Sequence, residues 1–142
     1  LKRLVLDPNA LVSGIIDPHS DKPPRLLFDA LEDLAFEVVV SPRLLGEVRR
    51  ALRKPYFRER LSAEEARKAV KRIDEVAVAF DDPSNVEPTL RDPKDDYLLA
   101  LAREAGAEAI VSGDKDLLDR AEALEPRAIS PREACVLLGL ID

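Results

Sequence analysis

The chain of 142 residues has one cysteine, one histidine, no methionine and no tryptophan. A single cysteine, Cys135, excludes an internal disulfide and any cysteine-based metal cluster. A single histidine, His19, excludes a histidine-rich zinc site and leaves little for Ser/His chemistry. No apolar run approaches the roughly 18–20 residues that span a bilayer. No basic stretch followed by an apolar one opens the sequence, so the cytoplasm is the expected location and no membrane partner is expected. The formal net charge of −6 excludes coating of nucleic acid by bulk positive charge. Glutamine is absent and asparagine occurs twice, at Asn9 and Asn85, while proline reaches 11. Scarce labile amides and abundant proline match a thermophile's usage.

What is present is a globular composition, 46% hydrophobic and 35% charged, at a length that fits one domain over residues 1–142. Short apolar runs alternate with helical patterns. Leu4-Val5-Leu6 stops at Asp7-Pro8 and precedes a helical stretch over 9–16. Pro23–Leu31 has prolines that open a helix and apolar residues at helical spacing. Phe36–Val40 predicts a strand, and Ser41-Pro42 an N-cap with proline at the first helical position. Ser62-Ala63-Glu64-Glu65 has the form of a capping box opening a helix to about residue 75. Val76–Phe80 predicts a short strand and residues 81–90 a loop. A helix from Asp92 to about Ala105, a strand at Ala109–Val111, a short helix over Asp116–Ala123, a strand at Arg127–Ile129 and a closing helix from Pro131 to Leu138 complete the pattern. Strands alternating with helices predict a mainly parallel sheet of about five strands with helices on both faces.

Ligands of such sheets bind at the carboxyl ends of the strands. Acids follow almost every predicted strand: Asp7, then Glu47 in the helix after the second, then Asp92, Asp95 and Asp96, then Asp114 and Asp116. Carboxylates converging there repel one another unless a cation lies between them. An oxygen-only donor set suits Mg²⁺ or Mn²⁺. Each acid also has a purely structural explanation. Asp7 and Asp114 suit helix caps, Asp92 and Asp95 a cap and its first-turn partner, and Glu47 a surface ion pair with Arg43 or Arg50. Asp96 instead leads the run Tyr97–Ala102, apolar on nearly every side, where a carboxylate needs a partner.

Four blocks in order carry a resemblance: Leu4-Val5-Leu6-Asp7-Pro8-Asn9, Ser41-Pro42-Arg43-Leu44-Leu45-Gly46-Glu47, Asp92-Pro93-Lys94-Asp95-Asp96-Tyr97 and Val111-Ser112-Gly113-Asp114-Lys115-Asp116. With Ile129-Ser130-Pro131 near the end, the chain resembles the PIN domain family of metal-dependent ribonucleases, and within it the branch of toxins from bacterial and archaeal toxin–antitoxin pairs. The resemblance implies a three-layer α/β/α sandwich. It implies an acidic set at Asp7, Glu47, Asp96 and Asp114, with Asp116 as an additional metal ligand and Asn9 and Ser112 as supporting polar residues. It implies Mg²⁺ or Mn²⁺ between the carboxylates, hydrolysis of single-stranded RNA, a cognate antitoxin and a homodimer or higher homo-oligomer. Where many members have Thr after the first acid, this chain has Pro8. That difference is the argument for the alternative, a catalytically inactive module that binds RNA or protein.

Two other classes fit less well. A phosphatase of the haloacid-dehalogenase type wants a second Asp at position 9, which is Asn9, and a Rossmann domain wants a glycine-rich turn after the first strand. The net charge also conceals an asymmetry. Residues 43–72 hold 11 Lys and Arg against 4 acids, a net of +7, so the rest of the chain carries −13. Arg43, Arg49, Arg50, Arg53 and Lys54 are thus the candidate RNA-binding cations. Tyr56 and Phe57 are expected to pack into the core rather than stack on bases, Cys135 to be a small core residue and His19 to be exposed.

Overall fold

A computed structural model of the chain describes residues 1–120 and 123–142. Five parallel strands form the sheet, β1 (Arg3–Leu6), β2 (Glu37–Val40), β3 (Val78–Ala79), β4 (Ala109–Val111) and β5 (Arg127–Ile129), in the order β3-β2-β1-β4-β5. Helices fill the connections: α1 (Pro8–Ile15), α2 (Pro23–Glu32), α3 (Pro42–Leu52), α4 (Pro55–Arg58), α5 (Ala63–Val76), α6 (Pro93–Ala105), α7 (Lys115–Leu118) and α8 (Pro131–Leu137). The result is the expected α/β/α sandwich.

Burial on both sides explains the run-like strands. Leu4, Val5 and Leu6 are all buried, as are Val38, Val39 and Val40, because a parallel sheet is covered on both faces. β1 lies at the centre, with Leu4 and Leu6 opposite Ala109 and Val111 of β4. The chain runs outward from β1 through β2 to β3, then crosses to β4 and β5 on the other side. The strand order therefore reverses between β1 and β4, and the crevice beyond their carboxyl ends is where an open sheet of this kind binds ligands.

Local signals start the helices. Proline stands at the first or second position of six of them, where its missing N–H is no loss. The capping box expected at Ser62 is formed with Glu65, and a second one joins Ser130 to Glu133. Gly106, at φ 64°, ends α6 in the left-handed region.

Three expectations about the elements are corrected. The third strand is only Val78–Ala79, because α5 runs on to Val76 with Ala77 as its cap. As an edge strand, β3 exists through its pairing with β2, Val39 opposite Val78 and Val40 opposite Ala79. The turn α4 follows Lys54 where no element was expected. Of the helix expected over Asp116–Ala123, the described residues include α7 at Lys115–Leu118 with turns at 119 and 120, and positions 121 and 122 lie outside them. Cys135 is buried in the core, its thiol pushed up by that burial, and His19 is exposed. Phe57 packs against the core as expected, whereas Tyr56 remains 53% exposed.

Helices α1 and α2 pack closely, and Gly14 makes that possible. A Cβ there would stand 2.6 Å from the Pro24 carbonyl oxygen and 3.0 Å from Phe28 Cβ. Gly14→Ala should destabilise the protein by about 1–3 kcal/mol, the usual cost of overpacking. Urea denaturation measures this, and a change within about 0.5 kcal/mol, the range of an unconstrained surface site, would contradict the close approach.

Candidate active site

Asp7 ends β1, and its amide donates to the Val111 carbonyl of β4 at 2.9 Å, so the backbone fixes it at the crevice. Its side chain is buried and held at both oxygens. Oδ1 accepts the Asn9 amide at 2.6 Å, and Oδ2 accepts the Ser112 hydroxyl at 2.7 Å. Ser112 Oγ also accepts the Asp114 amide at 3.0 Å, so one buried hydroxyl joins the loop after β4 to the acid after β1. Asn9 supports Asp7 through its backbone N–H. Pro8 is the first residue of α1, a position that asks for no N–H donor.

The crevice is a cleft of about 230 Å³ lined by four aspartates, Asp7, Asp92, Asp95 and Asp114, together with Glu47. Asp7, Asp92 and Asp114 each cap a helix and accept an amide two residues on. Glu47 Oε1 accepts from Arg43 Nε at 3.2 Å. Asp95 makes no side-chain hydrogen bond among the described residues. Its carboxyl is pushed up to about 6, first by burial and then by the charges of Asp114, Asp92, Asp7 and Asp96. Arg50, Lys54 and Lys94 complete the polar lining.

Asp95 and Asp92 are the cleft residues that the sequence alone assigned to structure only. The helical period holds a signal for Asp95. It lies seven residues before Ala102 and three before Leu98, so it heads the buried stripe of α6. Asp96 sits about 100° around the helix. Its buried Oδ1 accepts the amides of Thr89 at 3.0 Å and Leu90 at 2.6 Å, which fastens the loop before α6. Asp96 does not line the cleft. Neither does Asp116, which faces an adjoining hollow of about 160 Å³ with Asp95, Asp119, Arg91 and Arg120.

The candidate cations divide in the same way. Arg50 and Lys54 line the cleft, and Arg49 and Arg53 line a separate groove on the other side of α3. Arg43 is committed to Glu47, its guanidinium 4.2 Å over the Tyr97 ring. The Tyr97 hydroxyl bonds Ser41 Oγ and donates to Asp82 Oδ1 at 3.1 Å. Burial, opposed by the Ser41 bond and reinforced by the Asp82 charge, pushes the phenol up to about 12. Burial works against the charge on Asp82, yet bonds from Ser41, the Arg43 amide and Tyr97 outweigh it and hold that carboxyl below its ordinary value.

The donor set suits a hard divalent cation. The acids offer only oxygen, and Asp95 carries an excess of negative charge around it. Among the described residues no three carboxylates stand close enough to hold an ion as their side chains lie. Side-chain movement would have to bring them together.

A family model described as PIN domain matches residues 3–116, a span that contains every acid of the cleft. No curated protein matches the chain. The fold is similar to the crystal structure of PAE2754 from Pyrobaculum aerophilum, with a TM-score of 0.68 over 99% of this chain and 91% of that one, at 16% identity.

The raised carboxyl of Asp95 fixes the sign of a pH effect. The native protein binds this proton up to about 6, whereas the unfolded chain releases it near the ordinary value of 3.8. Ionisation therefore costs native stability as pH rises through that interval. Asp95→Asn in EDTA should melt higher than wild type at pH 7.5, with the gap closing near pH 4. Thermal denaturation at the two pH values tests this, and an equal gap at both would show that neither burial nor the neighbouring acids raise its carboxyl.

Proposed function

The chain belongs to the PIN domain family, and we propose that it is a divalent-metal-dependent endoribonuclease that hydrolyses single-stranded RNA, acting as the toxin of a toxin–antitoxin pair. PIN domains are generally nucleases. The observation that carries the finer reading is the group of five carboxylates at the sheet's reversal point, which outnumber the three cations of the cleft and include no nitrogen or sulfur donor.

Asp7, Glu47, Asp95 and Asp114 would hold the cation, with Asp92 at the rim. This replaces Asp96, which the resemblance implied, by its neighbour. Asp96 has one carboxylate oxygen committed to two loop amides and lies outside the cleft. Mg²⁺ or Mn²⁺ held there would supply Lewis acidity and lower the pKa of a bound water. The chain's own residues do the rest. Ser112 and the Asn9 amide fix the orientation of Asp7. Arg43, stacked on Tyr97, fixes that of Glu47. Arg50, Lys54 and Lys94 offer positive charge to a phosphate entering the cleft. The toxin role, the antitoxin and a homo-oligomer rest on the resemblance of the four sequence blocks.

Cleavage of single-stranded RNA with Mn²⁺ or Mg²⁺, with and without EDTA, tests the reading. Wild type should cut only with metal. Asp95→Asn should lose more than the roughly 10–100-fold that removal of an outer-shell partner costs. Asp96→Asn should lose less activity and instead destabilise the fold by about 1–3 kcal/mol, as the charge on its loop anchor disappears. A folded wild type that binds neither metal and cuts nothing would leave the inactive binding module in its place.

A further inference from the structure

A groove of about 720 Å³ lies between α3, α4 and α5, outside the carboxylate cleft. Its walls carry Arg49 and Arg53 from α3, Arg58 from α4, and Arg67 and Lys71 from α5. None of these five cations makes an ion pair among the described residues. Elsewhere the chain does pair its charges, as Lys2 with Glu108, Arg3 with Glu37 and Arg72 with Glu32 show. Of the two acids at the groove, Glu64 already faces Lys68 at 3.6 Å, and Asp74 is the other. A protein of net charge −6 therefore keeps an uncompensated basic channel in one place.

The floor decides what the channel suits. It is made of Ala63 and Ala66 over the buried Leu52 and Val70, and no exposed large apolar side chain lines it. A docked protein helix draws its affinity from burial of its apolar face, whereas five cations without an ion pair on these walls favour a polyanion. A polyanionic backbone needs cations along a track, and here six cations line the groove against two acids, Glu64 and Asp74. The channel also connects with the cleft through one helix. Arg49 and Arg53 face the groove, while Arg50 and Lys54, one residue further along, face the acids.

We propose that this groove is a second binding site for single-stranded RNA, holding the phosphates of the strand that leaves the carboxylate cleft across the C-terminal half of α3. The choice of RNA rests on the nuclease reading above. The groove's charge and shape do not.

The test is fluorescence anisotropy of a labelled oligouridylate of about 12 nucleotides, a length within the usual site sizes for single strands, titrated in EDTA over a range of salt. With Arg49, Arg53 and Arg67 all changed to Ala, affinity should fall roughly tenfold or more. The log–log salt slope should flatten by about 2, because each phosphate contact on a single strand contributes about 0.7. Arg67→Glu with Lys71→Glu, confined to the surface of α5, should weaken binding without touching α3. Lys22→Glu with Arg132→Glu, which changes the net charge as much as the α5 pair but at the cap of α2 and on α8, should bind as wild type does. The proposal is overturned if wild type does not bind the oligonucleotide, if the groove variants keep wild-type affinity and slope, or if the control loses as much. It is also overturned if polyglutamate displaces the oligonucleotide at equal residue concentration, which would make the groove a site for acidic polypeptide. Cleavage by wild type with Mn²⁺, read alongside, separates the two proposals. Groove-dependent binding without cleavage supports the groove and rejects the nuclease, and cleavage with groove-independent binding does the reverse.

Discussion

Repulsion among like charges governs the carboxyl edge of the sheet. The reversal of strand order between β1 and β4 brings Asp7 and Asp114 to one crevice, and α6 adds Asp92 and Asp95. Three of these four aspartates are helix caps, each with an oxygen bonded to an amide two residues ahead. Backbone N–H groups thus offset part of their charge where the helices start. Asp95 has no such bond, and burial together with the negative charge accumulated around it raises its carboxyl to about 6. Caps and cleft are built from the same side chains, so the fold tolerates this concentration of acids.

Glu47 stands apart from that arrangement. Its partner Arg43 is held from the other side by the Tyr97 ring, and Tyr97 is in turn fixed by Ser41 and Asp82. The helix that carries Glu47 and the helix that carries Asp95 are therefore joined by a polar network behind the cleft. A shift in α6 reaches Glu47 through side chains as well as through the sheet.

Much of this was legible in the sequence, and the exceptions have physical reasons. The central strands appear as apolar runs because both sheet faces are covered, and the helix starts appear because proline and capping residues act locally. β3 was overextended because a two-residue edge strand is defined by its neighbour, and α4 was missed because a single turn has no period to detect. Asp96 rather than Asp95 is the acid the sequence favours because α6 is apolar on nearly all sides, so the direction of the cleft is weakly marked. Asp92 was identified as a cap, and a cap can also line a cleft. The excess positive charge over 43–72 is plain from composition, but its division between two surfaces follows only from the 100° step between Arg49 and Arg50 on a packed helix.

The loop before α6 is held near both ends by neighbouring residues of one helical turn, its start by Tyr97 on Asp82 and its finish by Asp96 on the amides of residues 89 and 90. The span between, residues 83–88, carries no tertiary hydrogen bond among the described residues, and Ser84 to Pro88 are exposed. Chain entropy charges such a span little for added length, about 0.6 kcal/mol for each doubling. This makes it a natural splice point, where a tag or a whole foreign domain can be inserted while both ends of the loop stay fastened to α6.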